Sequence, residues 1–119
     1  MKTVLIVDDS ALMRRMMKRI AINNGYTVVG EANNGKLGLE KYKELNPSIV
    51  TMDVVMDEMD GLEALKQIIA HDANAKVVMV SSMGQEVIVR EAIMAGAKGF
   101  IVKPFDDDLV FEMFKKLSK

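Results

Sequence analysis

Three acidic residues directly follow hydrophobic runs in this sequence, at two well-separated places. Asp8 and Asp9 close the run Thr3–Val7, and Asp53 closes a run that begins at Ser48. If the two runs form neighbouring strands, the three carboxylates converge, repel one another and need a cation. Hard carboxylate oxygens with no histidine or cysteine beside them suit Mg²⁺, which often bridges a phosphate. The pattern therefore predicts one Mg²⁺ ion at this acidic group.

Hydroxyl and ammonium groups follow two further hydrophobic runs. Ser81 and Ser82 close the fourth run, and Lys103-Pro104 closes the fifth. A lysine and a hydroxyl facing the carboxylates across a cleft can contact the remaining oxygens of a phosphoryl group. Positioning and charge neutralisation are most of what phosphoryl transfer needs from a protein. A single acid at a strand end is usually a helix cap. The whole set, with each group closing a different strand, predicts a phosphoryl-binding site in which Ser82 also takes part.

Hydrophobic runs alternate with helix-like segments along the chain, which indicates five β-α repeats. Unbroken apolar runs are typical of strands buried on both faces, and strands separated by helices pair in parallel through right-handed crossovers. The fold class predicted is an α/β, doubly wound parallel sheet with helices on both faces, whose functional crevice lies beyond the carboxyl ends of the strands. The predicted strands are Thr3–Val7, Thr27–Gly30, Ser48–Met52, Lys76–Val80 and Phe100–Val102. The predicted helices run from the cap Ser10 to Asn24, over Lys36–Leu45, Leu62–His71 and Gln85–Ala95, and from the cap Asp106 to Leu117.

The composition is that of a folded protein with a sizeable core. The 119 residues are half hydrophobic and 28% charged, with a net charge of −1 and no cysteine. We therefore expect one monomeric domain over residues 1–119 that binds neither nucleic acid nor membranes. The lack of cysteine excludes disulfides and thiolate metal sites. A cytoplasmic location is expected, because no apolar run approaches the ~20 residues of a membrane span and the first strand leaves no room for a signal peptide.

Eleven methionines are the unusual feature of the composition. Methionines at helical spacing or inside apolar segments are typical of adaptable core residues. The methionines to which this interpretation applies are Met13, Met16, Met17, Met52, Met79 and Met94. We therefore predict that they fill the core.

With these residues placed, the sequence resembles response-regulator receiver domains, and among them the stand-alone chemotaxis type. The resemblance covers essentially the whole chain, and its short motifs are specific in this order and spacing. The motifs are Val4–Ser10, Asp53–Met56, Met59–Gly61, Ala95–Ala97 and Phe100–Phe105. The resemblance implies a flavodoxin-like, five-stranded sheet of strand order 2-1-3-4-5.

The resemblance also implies a role for each residue of the acidic group. Asp53 matches the family's phosphoacceptor. Asp9 matches the direct metal ligand, and Asp8 matches the acid that holds metal-bound water. The main-chain carbonyl of Val55 matches the third protein ligand of the ion.

Residues of the fourth and fifth strands match the parts that report phosphorylation. Ser81 matches the switch hydroxyl that bonds the phosphoryl group, and Lys103 matches the lysine that pairs with it. Phe100 matches the aromatic residue that turns inward when the hydroxyl moves. Family members display their state on the face built from the fourth helix, fifth strand and fifth helix. The resemblance further predicts a cis Lys103-Pro104 bond.

Three departures from the family pattern stand near the predicted site. Asp57 stands where family members usually have proline, and Ser81 stands where they commonly have threonine. Val55 and Met83 occupy the two flanking positions that tune the lifetime of the phosphoryl group. Because neither of these side chains can orient an attacking water, we predict slow intrinsic dephosphorylation.

The resemblance implies a signalling switch rather than an enzyme that acts on other substrates. A histidine kinase of the chemotaxis type would be the phosphodonor, a motor switch or adaptor protein the output partner, and a separate phosphatase the terminator. A flagellar or archaellar motor is the preferred output, and a phosphorelay shuttle or phosphate sink is the alternative. Two other classes fit worse: a haloacid-dehalogenase phosphatase needs Asp-x-Asp after its first strand, and a flavodoxin-like carrier needs Ser, Thr and Gly where Asp8 and Asp9 stand.

Overall fold

Strands and helices alternate along the chain in a computed structural model, which describes residues 2–56 and 59–118. The strands are β1 (Thr3–Val7), β2 (Thr27–Ala32), β3 (Ile49–Asp53), β4 (Val77–Ser81) and β5 (Gly99–Val102). The helices are α1 (Ala11–Asn23), α2 (Gly35–Leu45), α3 (Gly61–His71), α4 (Glu86–Met94) and α5 (Asp107–Leu117). Every predicted element is present. None of the helices in these described ranges has the length and apolar character needed to cross a membrane.

The strands form one parallel sheet of order β2-β1-β3-β4-β5. This confirms the predicted doubly wound α/β fold and its strand order. The central pair is β1 and β3, in which Val7 lies opposite Met52. Asp8, which follows Val7, and Asp53, the last residue of β3, therefore lie side by side at the ends of the two strands, as the convergence of the acids requires.

Both faces of the sheet are buried, which explains the unbroken apolar run of β1. Alternate residues of a strand point to opposite faces. Val4 and Ile6 belong to a cluster with residues of α1 and α5, whereas Leu5 and Val7 belong to a cluster with residues of α2 and α3. All four side chains are buried, and each contributes about 1.5–3 kcal/mol of hydrophobic stabilisation.

Side-chain caps begin four of the five described helices. In each case the side chain accepts a hydrogen bond from the amide three residues later, which satisfies one of the free amides of the first turn. The caps are Ser10, Asn34, Asp60 and Asp106, so the predicted caps Ser10 and Asp106 are confirmed. At the start of α4, Gln85 makes no such hydrogen bond within the described part of the chain.

Strand β2 is two residues longer than the sequence predicted. Glu31 lies opposite Ile6, and Ala32 lies opposite Val7. The polar Glu31 and the asparagines after it resemble a turn, so a pattern based on hydrophobic runs ends the strand at Gly30. Pairing with β1 is what extends it.

The six methionines divide into three groups, since three are buried, Met13 and Met16 are half-buried, and one is exposed. Met17, Met52 and Met79 are buried and fill the core as predicted. The prediction is wrong for Met94, whose side chain is 81% exposed at the end of α4. An apolar residue in an apolar segment looks the same to a sequence pattern whether the helix face it lies on is covered or open.

Candidate functional site

The three predicted acids meet at the carboxyl edge of the sheet. Asp8 and Asp9 follow β1, Asp53 ends β3, and one carboxylate oxygen from each lies within 4.8 Å of the others. Asp8 and Asp53 are buried, whereas Asp9 is exposed. The predicted convergence of the three carboxylates is confirmed.

Lys103 reaches this acidic cluster from the end of β5. Its Nζ donates a hydrogen bond to Asp8 Oδ2 at 3.0 Å and lies 3.5 Å from Asp53 Oδ1. The bond between Lys103 and Pro104 is cis, as predicted. The lysine therefore places one positive charge between two of the three carboxylates.

Asp53 is the carboxylate whose protonation the site perturbs most clearly. Burial, the neighbouring charge of Asp8 and, to a smaller extent, that of Asp9 together raise the pKa of Asp53 from 3.8 to about 6. The ammonium group of Lys103 opposes this rise in the pKa. A lysine alone thus leaves the cluster with unneutralised negative charge, which a divalent cation would remove.

Asp8 is held on every side by its neighbours. Its amide donates to the carbonyl of Ala32 at 3.0 Å, and its Oδ1 accepts from the amide of Ser10 at 2.9 Å. Its own carbonyl accepts from Arg14 Nη1 at 2.8 Å. Sequence reasoning missed Arg14, because its contact is with a main-chain atom. The one sequence feature that could have indicated a role for Arg14 is its place near the start of a helix, where the helix dipole disfavours positive charge.

The two serines at the end of β4 face different surroundings. Ser81 is buried, and its Oγ accepts a hydrogen bond from the amide of Met83 at 3.0 Å. Ser82 is exposed and lines a groove of about 240 Å³ together with Lys103. Phe100, the predicted aromatic partner of Ser81, lies partly buried on β5. Both serines therefore lie near the lysine, and only Ser82 is open to solvent.

The start of α3 packs tightly against the end of β3. The amide of Gly61 donates to the carbonyl of Val54 at 2.7 Å. A Cβ atom at Gly61 would lie 1.9 Å from the carbonyl oxygen of Asp53, so only glycine fits. Val55 is 57% exposed in the loop between β3 and α3. Asp57, the departure from the family's proline, lies outside the described residues.

The donor set fits Mg²⁺. The residues that would hold the ion are the three carboxylates, which supply hard oxygen atoms at close range. Two of the three are buried, and the exposed Asp9 leaves one side open to water. Mg²⁺ usually keeps several waters when one or two carboxylates bind it, so a half-open acidic cluster suits this ion.

Comparisons with known proteins match nearly the whole chain. Residues 4–115 match the family model of the response regulator receiver domain. The chain is 57% identical to the chemotaxis protein CheY of Thermotoga maritima, over 99% of this chain and 98% of the relative. It is 56% identical to CheY of Bacillus subtilis, over 95% and 94% of the two chains.

The chain is also similar to a solved structure. The structure of a CheX–CheY complex with BeF3 and Mg from Borrelia burgdorferi superposes with a TM-score of 0.95, at 37% identity. The match covers 98% of this chain and 89% of that one. The chain belongs to the response-regulator receiver family.

Proposed function

We propose that this receiver domain is a chemotaxis-type switch that accepts a phosphoryl group on Asp53 from a histidine kinase. In this reaction a carboxylate oxygen of Asp53 bonds to phosphorus, the phosphorus–nitrogen bond of the phosphohistidine breaks, and the imidazole leaves. The position of Asp53 at the sheet edge, 3.5 Å from the ammonium of Lys103 and beside the other two acids, carries the proposal. Because its pKa is about 6, Asp53 is mostly ionised near pH 7 and remains nucleophilic.

The acidic cluster would bind the ion that this transfer needs. We assign Asp9, Asp53 and the main-chain carbonyl of Val55 as ligands of one Mg²⁺ ion, and Asp8 as the acid that holds its water. When bound, Mg²⁺ neutralises charge on the transferring phosphoryl group. Asp8 is the most firmly held of these residues, which suits a fixed water-binding role.

Ser81, Ser82 and Lys103 are assigned to the phosphoryl oxygens. The ammonium of Lys103 already lies 3.5 Å from Asp53 Oδ1, within reach of a group attached there. The hydroxyl of Ser81 can leave its bond with the Met83 amide and turn toward the phosphoryl group. Such a rotation would let Phe100 move inward and couple the site to the outer surface.

The output surface is assigned to the face of α4, β5 and α5. These three elements carry apolar side chains that are exposed to solvent. They include Val87, Met94, Val102 and Leu109. Phosphorylation would change the affinity of this face for its partner by shifting the equilibrium between two conformations.

The partners proposed are a chemotaxis histidine kinase, a motor switch or adaptor protein, and a separate phosphatase. The relatives of highest identity quoted above bear the name chemotaxis protein, and one structural relative was solved in a complex with CheX. We propose a cytoplasmic monomer over residues 1–119, with no reaction beyond its own phosphorylation and dephosphorylation. A phosphorelay shuttle or phosphate sink is the alternative.

The phosphoacceptor assignment is tested by labelling with a small phosphodonor. Incubation with phosphoramidate and Mg²⁺ should add one acid-stable, base-labile phosphoryl group, measured as intact mass. The variant Asp53→Asn should remain unlabelled, whereas Asp108→Asn, a change at an exposed acid in the first turn of α5, should be labelled normally. Equal labelling of Asp53→Asn would refute the assignment.

The output assignment is tested by partner capture. Phosphorylated and unphosphorylated protein are compared with purified motor-switch and kinase proteins of the same organism. Preferential binding of the motor protein to the phosphorylated form supports the switch. Transfer of the phosphoryl group back to a histidine domain, without any state-dependent partner, would favour the shuttle instead.

A further inference from the structure

Arg14 ties the turn between β1 and α1 to the neighbouring strand β2. Its Nη1 donates to the carbonyl oxygen of Asp8 at 2.8 Å, and its Nε donates to Glu31 Oε1 at 3.2 Å. Glu31 lies on β2 opposite Ile6. The side chain of Arg14 is 20% exposed, so the two bonds are partly shielded from water. One guanidinium thus links the main chain of the turn after β1 to a side chain of strand β2.

The peptide unit that Arg14 binds is the one joining Asp8 to Asp9. Because a peptide is planar, a fixed carbonyl also fixes the nitrogen and the Cα of Asp9, so its carboxylate can move only by rotation about the bonds that follow. Among the described contacts, the carboxylate of Asp9 has no hydrogen bond of its own, in contrast to that of Asp8. The position of Asp9 therefore depends on its backbone, and Arg14 holds the peptide that leads into it.

The positive charge of Arg14 and its hold on the backbone have opposite effects on the affinity for Mg²⁺. A guanidinium close to the acidic cluster repels Mg²⁺, so its removal should tighten binding if electrostatics dominated. Holding the peptide in place lowers the cost of ordering Asp9 when the ion binds. The two effects differ in sign, and a measurement of affinity separates them.

We propose that Arg14 is a positioning residue for Mg²⁺ binding, acting through the peptide between Asp8 and Asp9 and anchored by Glu31. The inference rests on the acidic cluster being the Mg²⁺ site of the proposed function. Loss of groups that orient metal ligands commonly weakens binding by about 10–100-fold. We expect the lower end of this range, because the Asp8 amide and carboxylate keep their other bonds.

The test compares Mg²⁺ affinities of folded, metal-free variants. Arg14→Met retains the apolar stem and removes all the donors. Arg14→Lys retains the charge, but one ammonium group cannot reproduce the two-armed fork. Arg15→Met removes the same charge from the adjacent exposed position and is the matched control. Each protein is titrated with MgCl₂ by NMR, and circular dichroism in EDTA confirms that it is folded.

Arg14→Met should bind Mg²⁺ about tenfold more weakly than the wild type, Arg14→Lys should be intermediate, and Arg15→Met should be unchanged or slightly tighter. Equal or tighter binding by folded Arg14→Met would overturn the inference. If Arg14→Met does not fold, Arg14→Lys decides, and wild-type affinity in that variant overturns it. A wild-type protein that binds no Mg²⁺ would instead overturn the proposed metal site itself.

Discussion

The turn that follows β1 and the segment that follows β4 both border the site, yet they are held very differently. After β1, Asp8 is bonded through its amide, its carbonyl and both carboxylate oxygens, and Ser10 caps the next helix. After β4, the described side-chain hydrogen bond is that of Ser81 with the Met83 amide. The helix α4 then begins without a side-chain cap, and of its described residues only Ala92 is fully buried.

The two segments suit two different tasks of a switch, which are to hold the charged residues and to move in response to them. The turn after β1, which carries the acidic residues, is held in place, so that carboxylates that repel one another keep their positions. The side that carries the hydroxyl Ser81 and leads to the exposed face of α4 has few contacts to break. Segments with few buried contacts open most easily, and an element that reports a chemical event must be able to move.

Removal of Asp9 should abolish Mg²⁺ binding while stabilising the metal-free protein. Asp9→Ala deletes a proposed ligand and also relieves repulsion with Asp53, whose pKa Asp9 raises. The free energy of unfolding in EDTA should rise by about 1 kcal/mol. Urea denaturation with and without Mg²⁺ measures both effects, with Asp108→Ala as a control for loss of an exposed acid. Unchanged Mg²⁺ affinity would contradict the ligand assignment.

The stability of the metal-free protein should depend on the protonation of Asp53. Its folded pKa of about 6 lies above the ordinary value of 3.8, so the folded state binds this proton more tightly than the unfolded state. The resulting stabilisation is complete below about pH 4 and is lost as the pH rises through about 6. The whole change is about 2–3 kcal/mol.

Asp53→Asn isolates this contribution to the free energy of unfolding, because the variant lacks the titrating group. In EDTA, the difference in unfolding free energy between variant and wild type should grow from about pH 4 to pH 7, in favour of the variant. Mg²⁺ should remove most of the difference by stabilising the wild type. A difference that stays constant across this range would show that Asp53 is not strained by its neighbours.

The contrast between the two segments also explains what could be predicted from sequence. The acids, Ser81 and Lys103 were found because each ends a strand, and parallel strands end at one edge. The contacts of Arg14 were not found, because they join a side chain to a carbonyl six residues earlier and to another strand. The exposure of Met94 was missed because it depends on which helix face remains uncovered.

The lifetime of the phosphoryl group should be set by the two apolar residues at the rim. Val55 is 57% exposed and Met83 is 37% exposed, so polar replacements there would be accessible to water. The double variant Val55→Asn with Met83→Glu should orient an attacking water and shorten the lifetime several-fold, which corresponds to about 1 kcal/mol in the barrier. Release of phosphate after labelling measures this rate. A wild-type lifetime of seconds, or a longer lifetime in the variant, would contradict this account.

The smallest expected effect concerns the missing cap of α4. Gln85 occupies the cap position with an extended backbone, φ −63° and ψ 145°, which serine can also adopt. In Gln85→Ser the hydroxyl can accept from an amide of the first turn, as Ser10 does for α1. A cap of this kind contributes about 0.5–1 kcal/mol, so the amides of α4 should exchange with deuterium about 2–5-fold more slowly. Gln85→Ala, which cannot cap, is the control, and amides of α1 serve as an internal reference. If serine and alanine give the same exchange rates, the exchange of the α4 amides is not limited by its uncapped start. Its shallow burial, with Ala92 as the one fully buried side chain, would then be the cause.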